Sequence, residues 1–214
     1  MNTCRHPFRA KRLALLLLLP AALGIGAARA QLGVKLTQLR PTGVLGEVME
    51  RDWSAQLMYI DDFEDAIRLR FFFTWHRMEP RLAAIPIASY LYEDGVWTVF
   101  PGEQSYSKYD LYFLGAGADL AVLRLANEKL TLYPGFEAFF GTLSEAYRIR
   151  IATIKDEDFE GGQVLLGCGI RAGADYAWSK RLATFAEWGT NTYWVTESGR
   201  FTFNEIALGV RISF

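Results

Sequence analysis

Hydrophobic and polar residues alternate in steps of two along most of the chain. In Ile67-Arg68-Leu69-Arg70-Phe71-Phe72-Phe73-Thr74-Trp75 the odd positions are Ile, Leu, Phe, Phe and Trp, while the even ones include Arg68, Arg70 and Thr74. A strand sends alternate side chains to opposite faces, so this segment has one apolar, aromatic face and one cationic face. A helix would smear the arginines into its apolar stripe. The same period predicts strands over Leu32–Leu36, Trp53–Tyr59, Tyr109–Phe113, Leu130–Phe140, Val164–Tyr176, Leu182–Trp188 and Ile206–Phe214. With Ile67–Trp75 they make eight. After Gly115 the parity is expected to shift at a bulge or glycine kink, because Leu120 and Val122 change face.

The two faces decide between a soluble and a transmembrane barrel. The polar face gathers Lys35, Arg68, Arg70, Arg171 and Arg211 with Asp110, Glu137, Asp175, Glu187 and Glu205, and it carries many glycines. Balanced charges among small residues suit a narrow lumen filled with ion pairs. The apolar face, on which Tyr109, Leu111 and Phe113 are placed, carries Trp53, Tyr59, Trp75, Tyr109, Tyr176, Trp188 and Phe214 near strand ends. That is the girdle expected where a barrel meets the membrane interfaces. The predicted fold is all-β: a transmembrane antiparallel up-and-down β-barrel of eight strands, with ten as the alternative.

The connections support this order. Asp61–Glu64, Ala126–Lys129 and Ala177–Lys180 read as tight turns, and Pro41–Arg51, Pro80–Lys108, Ser144–Gly162 and Val195–Arg200 as loops. Turns and loops alternate, as they must when short turns lie on one side of a membrane and loops on the other. Within the longest loop, Glu93-Asp94-Gly95 separates Ile85–Tyr92 from Val96–Phe100 and signals a hairpin. Five residues are too few to cross a bilayer, so the hairpin is expected to be an external ribbon extending the third and fourth barrel strands, not two more spanning strands.

Composition and charge narrow the picture. Hydrophobic residues make up 51% of the 214 residues and the formal charge is −1, which excludes a disordered chain and a strongly basic nucleic-acid binder. Two cysteines and two histidines cannot supply a cysteine/histidine zinc cluster, and neither a metal nor another cofactor is expected. The first residues carry Arg5, Arg9, Lys11 and Arg12, then the apolar run Leu13–Leu19, then Ala28-Arg29-Ala30. These are the parts of a secretory signal peptide. Residues 1–30 are read as the signal and 31–214 as the barrel. Cleavage after Ala30 leaves 18 of the 23 basic residues against 24 acidic ones, a formal charge of −6. Cys168 then remains alone, on the lipid face.

The opening Gly33-Val34-Lys35-Leu36, the segment Leu130-Thr131-Leu132-Tyr133-Pro134-Gly135 and the ending Ala207-Leu208-Gly209-Val210-Arg211-Ile212-Ser213-Phe214 resemble the small outer-membrane β-barrel proteins of Gram-negative bacteria. The pattern is similar to the eight-stranded outer membrane protein β-barrel family common in Bacteroidetes. The resemblance implies residence in the cell outer membrane, contact with its lipid and lipopolysaccharide, and recognition of Phe214 by the barrel-assembly machinery.

Three functions are carried forward. The first is a non-enzymatic barrel with a structural role, or one that binds a protein partner or ligand through its outer loops, chiefly 80–108. Tyr92, Trp97 and Phe100 are the candidate binding residues, because an exposed aromatic patch marks a binding surface. The second is a lipid-modifying enzyme of acyl transfer or deacylation. His76 is its candidate base, near Glu79, Ser89 and Ser105 in sequence. The third is a lateral conduit for small apolar molecules. An open pore is not expected, since an eight-stranded lumen is only wide enough for side chains.

Overall fold

The computed structural model describes residues 30–43, 49–50, 52–64, 66–81, 85–121, 123–126, 128–151, 155–196 and 199–214. The predicted signal lies outside the described residues, apart from Ala30. Ten strands run in chain order: β1 (Ala30–Pro41), β2 (Asp52–Glu64), β3 (Ile67–Arg77), β4 (Ile85–Glu93), β5 (Val96–Leu120), β6 (Leu123–Leu125), β7 (Leu130–Ile151), β8 (Lys155–Ala177), β9 (Leu182–Val195) and β10 (Gly199–Ser213). All pairings are antiparallel. Eight strands close into a barrel, because β1 pairs with both β2 and β10, and β5 pairs with both β3 and β7. The remaining two, β4 and β6, lie outside the ring.

One end of the barrel carries the short turns and forms the turn rim. At the other end, the hairpin rim, β5, β7 and β8 continue past the barrel wall. Ser144–Gly162, read from the sequence as a loop, is a continuous β7–β8 hairpin that stays paired out to Ile151 and Lys155. Strand β4 extends the lane of β3. β3 pairs with β5 as far as Arg77 opposite Asp110, and β4 pairs with β5 from Gln104 to Val96. The ribbon expected from Asp94-Gly95 is therefore present, and it joins the β7–β8 hairpin through β5 into a four-stranded projecting sheet. Both Asp94 and Gly95 have positive φ, 51° and 80°, the geometry of a two-residue hairpin turn.

The face assignment from β3 holds. Arg70, Phe72, Thr74 and His76 are buried in the lumen, and Trp75 is exposed. On β5 the expected faces are inverted. Tyr109, Leu111 and Phe113 are buried at 5% exposure or less and join the lumen cluster with Phe72, Phe139 and Tyr193. Tyr112 and Leu114 point outward instead. Asp110 follows them: it leaves the lumen set and pairs with the exposed Arg77 and the Tyr112 hydroxyl on the outer wall. No shift occurs at Gly115, since the β3 register is regular from Ile67 to Arg77. The β5 irregularity sits between Tyr106 and Lys108, where the strand leaves the barrel. The physical reason is that the half of the lumen nearest the hairpin rim is filled with apolar side chains, not charges.

Inward-facing glycines make room for rings in both halves of the lumen. Phe72 lies over Gly115, Phe139 over Gly167, Phe185 over Gly209 and Tyr133 over Gly173, each pair being direct cross-strand partners. An eight-stranded wall encloses little width, so a ring can lie flat only where its neighbour has no side chain. A Cβ on Gly167 would sit 2.0 Å from the Phe139 ring. Gly167→Val is thus expected to cost ~1–3 kcal/mol through overpacking. Urea unfolding in lipid vesicles measures it; an unchanged midpoint would contradict this packing.

The exterior of the ring is apolar. Leu36, Leu57, Phe136, Phe140, Leu166, Ile170, Leu208 and Val210 are all exposed. Trp53 and Trp75 stand at the hairpin rim and Phe214 at the turn rim, as a girdle requires, whereas Trp188 lies halfway along β9. Cys168 is exposed on this outer wall.

Candidate functional site

Two regions concentrate polar or exposed chemistry: the lumen and the projecting sheet. In the lumen, the cations come from the first halves of β1 and β3 and the second halves of β8 and β10. Arg70 contacts Glu187 at 2.7 Å and Asp119 at 3.2 Å. Arg171 contacts Asp119 at 2.7 Å, Glu187 at 3.6 Å, and Glu137. Lys35 meets Glu187 at 3.2 Å. Tyr133 donates to Glu187 at 2.9 Å, and Asn191 donates to Glu205 at 2.6 Å and to Glu137 at 3.2 Å. Nearer the turn rim, Arg68 and Arg211 share Asp175 at 3.0 and 2.7 Å, and Arg211 also donates to Gln31.

Every lumen charge expected from the sequence is in this network except Asp110. Asp119, which the expected shift at Gly115 would itself place inward, is missing from the lumen charges expected from the sequence. It faces inward on an unbroken period of two that runs from Tyr109 through Gly115 and Gly117. The void left among Lys35, Glu137, Arg171, Glu187, Asn191 and Glu205 is about 10 Å³, room for one water at most. The network neutralises and fills; it leaves no space for a substrate.

His76 does not assemble a catalytic group with the residues considered for it. Its ring is buried in the apolar half of the lumen, 4.8 Å from the Phe113 ring and 6.3 Å from the Tyr193 ring. Its cross-strand partners are Ser54 and Leu111. Ser105 lies six residues farther along β5 than Leu111, about 20 Å at strand spacing. Ser89 pairs with Phe100, farther still. Every adjacent pair of barrel strands is hydrogen-bonded, so the described wall shows no lateral gap.

The projecting sheet is the exposed region. Trp97 is 65% exposed and its ring lies tilted against that of Tyr92 across the hairpin, 4.8 Å between centroids. Tyr90 and Val99 are cross-strand partners on the same face and are also exposed. Phe100 belongs to the opposite face, with Ile87 and Gly102, so the three residues proposed from the sequence do not form one surface. Tyr90 and Val99 take its place; period two along β4 and β5 would have shown this. Trp97 lies thirteen residues beyond Asp110 on β5, about 40 Å along the strand. Between the aromatic tip and the barrel lies a charged band: Arg148 pairs with Asp156 at 2.6 Å and Arg150 with Glu103 at 3.0 Å. The hydrogen bond from Arg148 holds the Asp156 carboxyl below the usual carboxylate range. On the other face, Tyr147 stacks on Phe159 at 5.2 Å.

No family model and no curated protein matches the chain. Among solved structures, Neisserial surface protein A is 14% identical, with a TM-score of 0.51, covering 86% of this chain and 97% of its own. The attachment invasion locus protein of Yersinia pestis is 14% identical, covering 88% of this chain and 100% of its own, at a TM-score of 0.47. A major outer membrane protein from Thermus thermophilus is 16% identical, covering 86% and 99%, at a TM-score of 0.45. A closed wall with an apolar exterior and a charge-filled, side-chain-plugged interior is a lipid-facing barrel. The chain has the fold of a small eight-stranded outer-membrane β-barrel, and the cell outer membrane is its compartment.

Proposed function

We propose that this chain is a non-enzymatic outer-membrane protein that docks a partner outside the cell through the β4–β5 ribbon. The observation that carries the reading is the aromatic face of Tyr90, Tyr92, Trp97 and Val99, standing exposed about 40 Å along β5 from the barrel rim. Side chains of this kind inside the bilayer need no explanation, but outside it such a face marks a binding surface. The plugged lumen supports a scaffold role for the barrel.

Under this reading, residues 1–30 are the export signal, the hairpin rim faces the exterior of a Gram-negative cell, and the wall contacts membrane lipid and lipopolysaccharide. Phe214, exposed at the end of β10, is the recognition residue for the barrel-assembly machinery. The opening and closing strand motifs are the grounds for grouping the chain with the Bacteroidetes-type barrels.

Replacing Ile85–Phe100 with a short Gly/Ser linker is expected to leave a heat-modifiable barrel, since the part of β5 that pairs with β3, Asp110–Leu120, and the other seven wall strands are untouched. A photo-crosslinker in place of Trp97 should form a protein adduct on whole cells, while the same group in place of Trp188 should label lipid. Protein adducts of equal yield at both positions would remove the ribbon as the working surface.

A further inference from the structure

The projecting sheet has two free edges among the described residues, and they differ. Strand order there is β4-β5-β7-β8. β9 pairs with β8 only from Leu165 onward, so no described strand follows β8 beyond that point. That edge carries Asp156, Glu157, Asp158 and Glu160, the charge guard that keeps strands from pairing with strangers. The β4 edge is also open, since β5 is its only described partner. From Ile85 to Tyr92 it carries no charge at all.

The register shows which backbone groups are on offer. A two-residue turn of positive φ closes on a hydrogen-bonded pair, here Glu93 and Val96. Odd residues of β4 therefore bond to β5, and even residues turn their N–H and C=O to the open side. Pro86, which has no N–H, falls on an even position, as an edge strand requires. Ala88, Tyr90 and Tyr92 are left offering both groups.

Charge selects the occupant. No cation occurs between Ile85 and Gln104, while Glu93, Asp94 and Glu103 do, and the acids of β8 lie in the same sheet. The two arginines of β7 in this region are already paired to Asp156 and Glu103. A second copy of this sheet would bring like charge against like. A cationic strand would be attracted, and its side chains would meet the exposed rings of Tyr90 and Tyr92, which favour cations. We propose that the open edge of β4, at Ala88, Tyr90 and Tyr92, takes up an extended, cationic segment of a partner protein as an added strand. The inference rests on the ribbon being the working surface and specifies how it works.

The test uses the whole barrel in lipid nanodiscs and three nine-residue peptides: alternating Val/Lys, alternating Val/Glu, and Val/Lys with proline at two central positions. Amide exchange is followed by NMR. With the Val/Lys peptide, the Tyr90 and Tyr92 amides should become at least tenfold more protected, while the amides of Ile87 and Ser89, already bonded to β5, should change little. The Val/Glu and proline-bearing peptides should leave Tyr90 and Tyr92 unprotected. Ala88→Pro removes one open-side donor without touching a β4–β5 bond, and should weaken the Val/Lys peptide at least tenfold. Retained protection at Ser89 in that variant shows the ribbon intact; if protection is lost there, Tyr90→Lys, which adds a charge guard, is the variant read, with the same weakening expected. Equal binding of the proline-bearing or acidic peptide would overturn strand addition or charge selection, respectively. Protection of Tyr90 that rises with protein concentration alone would assign the edge to a second copy and overturn the proposal. If Trp97 crosslinks a partner but neither variant weakens the peptide, the edge inference falls and the ribbon surface stands.

Discussion

Arg171→Gln is expected to destabilise the barrel by ~3–5 kcal/mol, the range for breaking a buried ion pair from one side. Arg171 is buried and contacts Asp119, Glu137 and Glu187 together, so its loss leaves several carboxylates facing one another with only Arg70 and Lys35 nearby. The cost lies less in the lost attraction than in the charge left behind. Adding Glu137→Gln to Arg171→Gln should therefore recover part of the loss, and the double variant should be more stable than the sum of the singles predicts. Urea unfolding in vesicles of fixed composition measures all three; additive losses would mean that the network does not act as a unit. The same experiment separates Asp119 from Asp110. Asp119→Asn should approach the cost of Arg171→Gln and couple to it, whereas Asp110→Asn, paired with Arg77 outside this network, should add to Arg171→Gln without coupling.

That pair of aspartates shows how far the sequence could be read. Alternation on β3 was unambiguous, because Arg68, Arg70 and Thr74 contrast with Leu69, Phe73 and Trp75. On β5 the two sets are Tyr109, Leu111, Phe113 and Asp110, Tyr112, Leu114. Both are largely apolar, and the single charge assigned the wrong set to the lumen. Polarity marks the inner face only where the lumen is polar, and near the hairpin rim it is not: Phe72, Phe113, Phe139, Tyr193 and Phe203 fill it. The glycines held the missing information. Gly115, Gly167 and Gly209 each stand opposite an inward-facing ring, so inward glycines on one strand locate inward aromatics on the next.

The projecting sheet was legible in part for a related reason. Asp94-Gly95 is a local signal, set by the φ values its turn demands, and it fixed the hairpin. The continuation of β7 and β8 had no such mark. Tyr147, Ile149 and Ile151 alternate with Ala146, Arg148 and Arg150, but Asp156–Glu160 reads as a charged loop until its pairing with β7 is seen. The phase of Phe100 likewise depended on counting β4 and β5 as one paired ribbon and not as two apolar stretches.

The faces and the depth of the chain in the membrane can be tested together. Leu208→Arg should destabilise the barrel by ~2–4 kcal/mol if it lies near the bilayer midplane. Leu208 is 67% exposed inside a run of outward apolar residues, Ile206, Leu208, Val210, Ile212 and Phe214. The run spans nine residues, about 27 Å along the strand. It ends toward the hairpin rim at Asn204, which is hydrogen-bonded to Thr190 on the outer wall. That places the boundary of the apolar band below the projecting sheet. Trp97→Arg introduces the same charge at a residue of nearly the same exposure, but in water. Its expected effect on unfolding is no more than ~1 kcal/mol, what the exposed cross-strand contact with Tyr92 is worth. Burial alone would rank the two substitutions as equal; only a bilayer around Leu208 and none around Trp97 makes them differ. Equal costs, or a larger cost at Trp97, would mean that the apolar band is not the membrane-spanning surface or that the ribbon is drawn down into lipid.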